Sequence, residues 1–374
     1  MAVEIRRVET NSQLKAFVRF ASDLYKDNPY YVPALVLDDL NTLRRDKNPA
    51  FEFCEAEYWT AWQDGKMVGR IAGIINPRYI EKWGHKYARF GWIDFIEDFE
   101  VAKALVETVE TWARSKSMEG VHGPMGFTDL DREGMLVEGF SEVATMATIY
   151  NHPYYPEYME RLGYAKDVDW IEFQIRTPKE IPEKVLRVNE LISRRTGYRI
   201  YDWKDKKEMK ERFGRQVFEL VDEAYADLYG TTPLSERQVQ FYIDNYLGWI
   251  DRRFTKVLVD KEDKLAGFAI SMPSLSQALI KNRGELFPFG FVSLLRALKN
   301  PNTIDMLLVA VRKECVATGV LALLMNALSK SAIESGVEYA ESNPELETNT
   351  AVHGIWKDYP KRQHKRRRVY LKAL

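Results

Sequence analysis

The chain has 374 residues, 45% of them apolar and 13% aromatic, more than one core usually holds, so two domains are expected. Its 54 Lys and Arg nearly cancel 55 Asp and Glu, and a net charge of −1 excludes a global attraction to nucleic acid or an anionic membrane; any such binding has to be local. Cys54 and Cys315 stand far apart and outside any CxxC or Cys/His cluster, which fits two unbridged thiols in a reducing compartment.

The opening MAVEIRRVETN has no apolar core and predicts no signal peptide. The longest apolar stretches, such as 287–298, are too short to span a bilayer, so a cytoplasmic protein without a membrane partner is expected. A strand is predicted over 3–9, a helix from Ser12 and a second over 38–46. Strands 56–62 and 66–76 flank Asp64-Gly65, a strong hairpin signal. A strand follows over 89–96, then an amphipathic helix over 97–117 with acids in its first turn and cations in its last. The Gly-rich segment 119–140 reads as a loop with little regular structure. A short helix stops at Gly163 and a strand closes the series over 167–176.

Residues 177–184 open a connection, with a helix over 183–195. The order then recurs: a strand at 198–203, helices at 206–229 and 235–250 with Ser235 as N-cap, and a hairpin of 254–260 with 264–272. An apolar helical insertion, 275–299, has no counterpart in the first half. A strand at 304–311, a helix from Gly319-Val320, a strand at 337–342, a helix near Asn349 and a strand at 366–374 complete the chain. DGKMVGRIAGI and EDKLAGFAISM match best, with Gly69 and Gly267 equivalent. The reading is α/β (α+β): unit 1–180, linker and helix 181–197, and unit 198–374, two copies of one mixed, splayed sheet flanked by helices.

The order β–α–α–β–β–β–α–β–α–β resembles that of the GCN5-related N-acetyltransferase (GNAT) superfamily, and the chain resembles a tandem GNAT protein over most of its length. In that fold the fourth strand is splayed from the fifth and its free backbone groups hold the pantetheine arm of acetyl-CoA, while the next helix start holds the pyrophosphate. The resemblance implies that Leu308, Val309 and Val311 meet pantetheine, that Thr318, Gly319 and Val320 form the phosphate turn, and that Asn349, at the start of the last helix, bonds pantetheine or simply caps that helix. The family pattern Gln/Arg-x-x-Gly-x-Gly/Ala keeps only Gly319 in VATGVLA; Val316 and Leu321 replace its other positions. In the first unit Glu97, Asp98 and Glu100 stand where a pyrophosphate would lie, so that unit is expected not to bind CoA in the usual way.

Transfer to an amine needs a polarised carbonyl, a base for the amine and an acid for the leaving thiolate. The family tyrosine falls in register on Met159 and Trp356, with Tyr158 and Tyr359 displaced; Tyr359 is the nearest candidate acid in the second unit. Asp305 and Glu341, acids within apolar strands, are candidate bases, or strand-end residues facing solvent. Asp129, Asp131 and Glu133 cluster in the Gly-rich loop; their spacing lacks the third aspartate and terminal glutamate of a calcium loop, so no metal is expected. They suit a loop that attracts an amine, or an ordinary surface loop. The run KRQHKRRR (361–368) leads into the terminal strand and reads as a strand arm solvated on one face, and the five histidines show no ligand or dyad spacing. These readings imply an acyl-CoA-dependent N-acyltransferase acting on a small-molecule or peptide amine with acetyl-CoA or another acyl-CoA as co-substrate. A non-catalytic binding or scaffold protein with decayed motifs is the alternative from another class. A tRNA-dependent aminoacyltransferase-like protein, using 361–368, is a third.

Overall fold

A computed structural model describes residues 2–357 and 359–374. The first half contributes strands β1 (Glu4–Arg7), β2 (Glu55–Gln63), β3 (Lys66–Ile75), β4 (Tyr87–Phe95), β5 (Gly120–Gly123), β6 (Met135–Glu138) and β7 (Ala165–Arg176). The second contributes β8 (Arg199–Tyr201), β9 (Thr255–Val259), β10 (Leu265–Pro273), β11 (Thr303–Val311), β12 (Tyr339–Ser342), β13 (Glu345–Leu346) and β14 (Lys361–Ala373). No helix among the described residues is long and apolar enough to cross a membrane.

Local chemistry explains most of these elements. Thr10 and Gln13 form a capping box that starts helix Asn11–Leu24, and Ser235 with Gln238 does the same for helix Glu236–Tyr246. Asp64 and Gly65 both take positive φ, 48° and 75°, the geometry that lets a two-residue turn join β2 to β3 without fighting strand twist. Each hairpin meets a long helix at its equivalent glycine. A Cβ on Gly69 would lie 2.7 Å from Cδ1 of Leu105 in helix Phe99–Ser115; one on Gly267 would lie 2.7 Å from Val311 and 3.3 Å from Cδ1 of Leu324 in helix Leu321–Glu334. The repeat therefore preserves a place where a helix packs against the sheet.

The strands form one sheet in the order β1-β2-β3-β4-β5-β14-β7-β12-β11-β10-β9-β8, nearly a palindrome about its centre. β14, from the end of the chain, pairs with β5 of the first half from Tyr370↔Gly123 to Ala373↔Gly120. β7, from the first half, pairs with β12 of the second. β7 and β14 lie antiparallel from Lys361↔Ile175 to Leu371↔Ala165. Each half completes its sheet with the other half's last strand.

Four sequence expectations change. The segment 119–140 carries β5 and β6, short strands held by β4 and β14 rather than by their own composition. The last strand begins at Lys361, not 366. Lys365 and Arg367 are buried, not solvated, because acids of β7 neutralise them. The predicted helix 206–229 ends early: the chain is helical from Lys206 to Ala224, with a π-helical turn at Met209–Phe213, and Tyr225 to Gly230 leave the helix.

Candidate active site

The fourth and fifth strands of each half run parallel for only a few residues. In the first half Tyr87–Arg89 pair with Gly120–His122; in the second Thr303–Met306 pair with Tyr339–Ser342. Beyond those rungs β4 parts from β5 and β11 from β12, and each carries a bulge near the divergence. Trp92, in the bulge of β4, takes a positive φ of 43°, a costly conformation for a bulky side chain.

The two openings are filled differently. In the first, Met125 N–H donates to Phe90 O at 2.8 Å, the Tyr155 hydroxyl accepts from Phe95 N–H at 2.7 Å, and the Tyr154 hydroxyl donates to Phe95 O at 2.8 Å. Asp98 caps the following helix, accepting from Glu100 N–H at 2.9 Å and from Gln63 at 3.0 Å. A carboxylate already occupies that helix start. In the second opening Tyr225 and Asn343 intervene. The Tyr225 hydroxyl accepts from Val309 N–H at 3.3 Å and donates to Val309 O at 3.1 Å, and Asn343 Nδ2 donates to Leu307 O at 3.2 Å. Helix Leu321–Glu334 starts after Gly319 (φ 79°) with no side-chain cap.

Both openings face one cavity of about 510 Å³, within the range that encloses a small ligand. Trp92 and Asp94 line it from β4, Leu308 and Val309 from β11, and Tyr225, Glu345 and Trp356 from elsewhere in the second half. Several of its acids are shifted. Burial pushes Asp131 up to about 6 and raises Asp129, and burial beside Asp129 holds Glu133 well above its ordinary range. Asp131 braces its own loop, accepting from Phe127 N–H at 2.8 Å and Thr128 N–H at 3.1 Å. Burial raises Glu345 to about 7, although the Trp356 indole N–H, 2.7 Å from Oε1, partly opposes the shift. Oε2 of Glu345 and Oε2 of Glu133 have no hydrogen-bond partner among the described residues.

No family model matches the chain. It is 26% identical over 382 residues to Protein YghO of Escherichia coli (strain K12), covering 99% of this chain and 95% of that one. It is also 26% identical over 383 residues to a bacterial ceramide synthase of Caulobacter vibrioides, covering 98% and 96%. Among solved structures, a tandem GNAT protein from the clavulanic acid biosynthesis pathway superposes with a TM-score of 0.54 at 13% identity, over 100% of this chain and 98% of that one. A GCN5-related N-acetyltransferase from Sphaerobacter thermophilus gives 0.54 at 14% identity, over 99% and 95%.

The chain has the tandem GNAT fold.

In that frame the candidates from sequence fall into three groups. Leu308, Val309, Asn349, Asp129, Asp131 and Glu133 line the cavity. Asn349 also caps the last helix, accepting from Val352 N–H at 3.3 Å. Thr318, Gly319 and Val320 form the turn before the second GNAT helix, where Thr318 Oγ1 donates to Cys315 O at 2.6 Å; Val311 packs with Val320 and Leu324 at the end of β11. Asp305, Glu341 and Tyr359 do not line the cavity. Tyr359 lies 3.1 Å from Ser329 Oγ. Asp305 and Glu341 belong to a buried charge cluster on β11, β12, β7 and β14. There Glu341 meets His364 Nε2 at 2.9 Å and Gln174 at 2.8 Å, and Glu172 meets Lys365 at 3.1 Å and Arg367. Burial pushes Asp305 up to about 7. Burial would likewise raise Glu341, but His364 and Lys365 hold it below its ordinary value.

Sequence reasoning passed over Tyr225, Asn343 and Glu345. The pattern puts Tyr225 inside the helix predicted over 206–229, and Asn343 and Glu345 fall between the strand predicted at 337–342 and the helix near Asn349. Trp356 did give a signal, since it stands in the register of the GNAT tyrosine.

Proposed function

We propose that this protein transfers an acyl group from acyl-CoA to the amine of an acceptor with a long hydrocarbon chain, and that the second GNAT unit holds the donor. The observation that carries the reading is the shared cavity: the second splay opens onto it, and a carboxyl held near neutrality lies within it. The first unit suits CoA less well: tyrosines meet the splayed backbone in both units, but Asp98 sets a carboxylate at the first unit's helix start, whereas the second unit's helix start has no side-chain cap. The ceramide synthase of Caulobacter vibrioides supports the class of acceptor, for a ceramide is the amide of a fatty acid and a long-chain amino alcohol.

Acyl-CoA would supply the activated carbonyl. The amine nitrogen forms the new C–N bond as the C–S bond breaks; one proton leaves the amine and one reaches the thiolate. Glu345 takes the first proton, since a carboxyl near 7 is substantially ionised at neutral pH and basic enough to accept it. Tyr225 gives the second: burial holds its phenol at about 12, so it keeps its proton, and its hydroxyl lies at the splayed backbone of Val309. Asp129 and Glu133 give the amine end of the acceptor a polar place in a cavity whose wall also carries apolar groups such as Leu308 and Met306.

Thiol release tests the reading. The purified chain is incubated with acetyl-, octanoyl- and palmitoyl-CoA, with and without a long-chain amino alcohol, and free CoA is followed with a thiol reagent. CoA release that needs both partners and favours the long amine is expected. Absence of release above the donor-alone rate with every pair sinks the proposal.

A further inference from the structure

The insertion between β10 and β11 is explained by neither the GNAT repeat nor the chemistry proposed for the cavity. It forms helices Ser276–Asn282 and Gly290–Lys299. Between them the chain puts apolar groups into water: Phe287 and Phe289 are 79% and 78% exposed. Phe291 and Leu295 are exposed too, one helical turn apart and therefore on one face. Leu37 is exposed where the first unit meets this segment, and Val36 N–H donates to Gly284 O at 3.2 Å. Large aromatics left in water in one short segment mark a contact surface.

The charges around them are of one sign. Lys281, Arg283, Arg296 and Lys299 are all exposed. Within 276–300 the one acid is Glu285, and it is ion-paired with Arg19 of the first unit. The segment is thus a cationic island on a chain whose net charge is −1. A twofold contact between copies would set four cations against four like charges, which disfavours a second copy as the occupant. The same insertion also reaches the cavity, for Leu275 and Leu279 line it.

We propose that this insertion docks on the surface of an anionic lipid bilayer. Phe287 and Phe289 enter the boundary between headgroups and acyl chains, while the four cations meet headgroup phosphates. The element lies on the membrane and does not cross it. Apolar burial and anionic attraction act together, so either alone is weak and both are needed for lasting contact. The docking rests on exposure and charge and is independent of the acyl transfer proposed above.

Vesicle co-sedimentation with the full chain decides it. Vesicles of phosphatidylcholine with phosphatidylglycerol are expected to pull the protein down, pure phosphatidylcholine vesicles at least tenfold less well, and added salt should release it. Two variants act on separate terms: Phe287→Ser with Phe289→Ser, and Arg296→Glu with Lys299→Glu. All four side chains are exposed, so both proteins are expected to keep the parent melting temperature and to lose at least tenfold in vesicle affinity. Failure of the parent protein to sediment with anionic vesicles overturns the proposal, as does equal sedimentation of parent and variants. A dimer that the phenylalanine variant dissolves, seen by sedimentation velocity without vesicle binding, would assign the face to a second copy instead.

Discussion

Glu345 and Asp305 are both buried acids raised to about 7, yet their surroundings give them different tasks. Glu345 lines the cavity with an indole N–H on Oε1, while Oε2, 3.8 Å from His353 Nε2, has no hydrogen-bond partner among the described residues. Glu345→Gln keeps the shape and the Trp356 contact but removes the proton acceptor. The expected result is a fall in kcat of about 10²–10⁴-fold with KM for the donor little changed. The parent rate should climb with pH through about 7, and the variant should lose that inflection. Asp305 sits away from the cavity beside Glu341 and Glu172. Its carboxyl titrates near 3.8 when unfolded and near 7 when folded. Its contribution to stability is therefore whole below about 4 and is lost as pH rises to about 7. Asp305→Asn should raise the melting temperature at pH 8, by a free energy on the order of 2–4 kcal/mol, and leave it nearly unchanged at pH 4. No gain at pH 8 would mean that the ionised carboxylate is needed where it stands.

At the scale of elements, the paired hairpins show what patterning can and cannot reveal. Asp64-Gly65 between alternating runs announces its turn, and Gly69 and Gly267 match because a helix crosses each at contact distance. Gly267→Ala should cost about 1–3 kcal/mol in urea unfolding, since the new methyl meets Val311 and Leu324. β5 and β6 escaped notice because GVHG and MLVE are too short to show a period and depend on β4 and β14 for pairing. The start of β14 was hidden by its cations. KRQHKRRR looks like a solvated run until Glu172, Glu341 and Asp169 on neighbouring strands are brought opposite it. Burial would raise Glu172, but Arg367 and Lys365 hold its carboxyl down at about 2. Arg367→Met leaves that buried acid with Lys365 alone and should cost about 3–5 kcal/mol. The parent's stability from Glu172 is present above about 4.5 and lost as pH falls toward 2; the variant should show a shallower acid limb in thermal melts. For the site, the cavity walls at Leu308 and Val309 follow from the GNAT order of elements, and those at Asp129, Asp131 and Glu133 from the acidic cluster in a Gly-rich loop. Glu345 does not, because its character comes from burial beside Trp356, a contact that only the folded chain creates.

At the scale of the molecule, the exchange of β7 and β14 makes the halves interdependent. Residues 1–180 hold the first cluster of core side chains from Trp59 to Tyr164, yet Tyr370, fully buried, completes that cluster from the far end of the chain. Expressed alone, 1–180 is expected to lack a cooperative melt and to aggregate through the bare edge of β5, and a peptide of 361–374 added in trans should restore solubility. A soluble, cooperatively melting fragment would show that β14 is dispensable to the first unit.

That exchange also sets an order in time. During synthesis the β1–β5 half emerges long before residues 361–373, so its sheet waits with an open edge while the whole second unit is being made. The nascent chain is then a client for whatever shields exposed strands on the ribosome. A stalled or truncated product would not leave one working half behind. It would leave none.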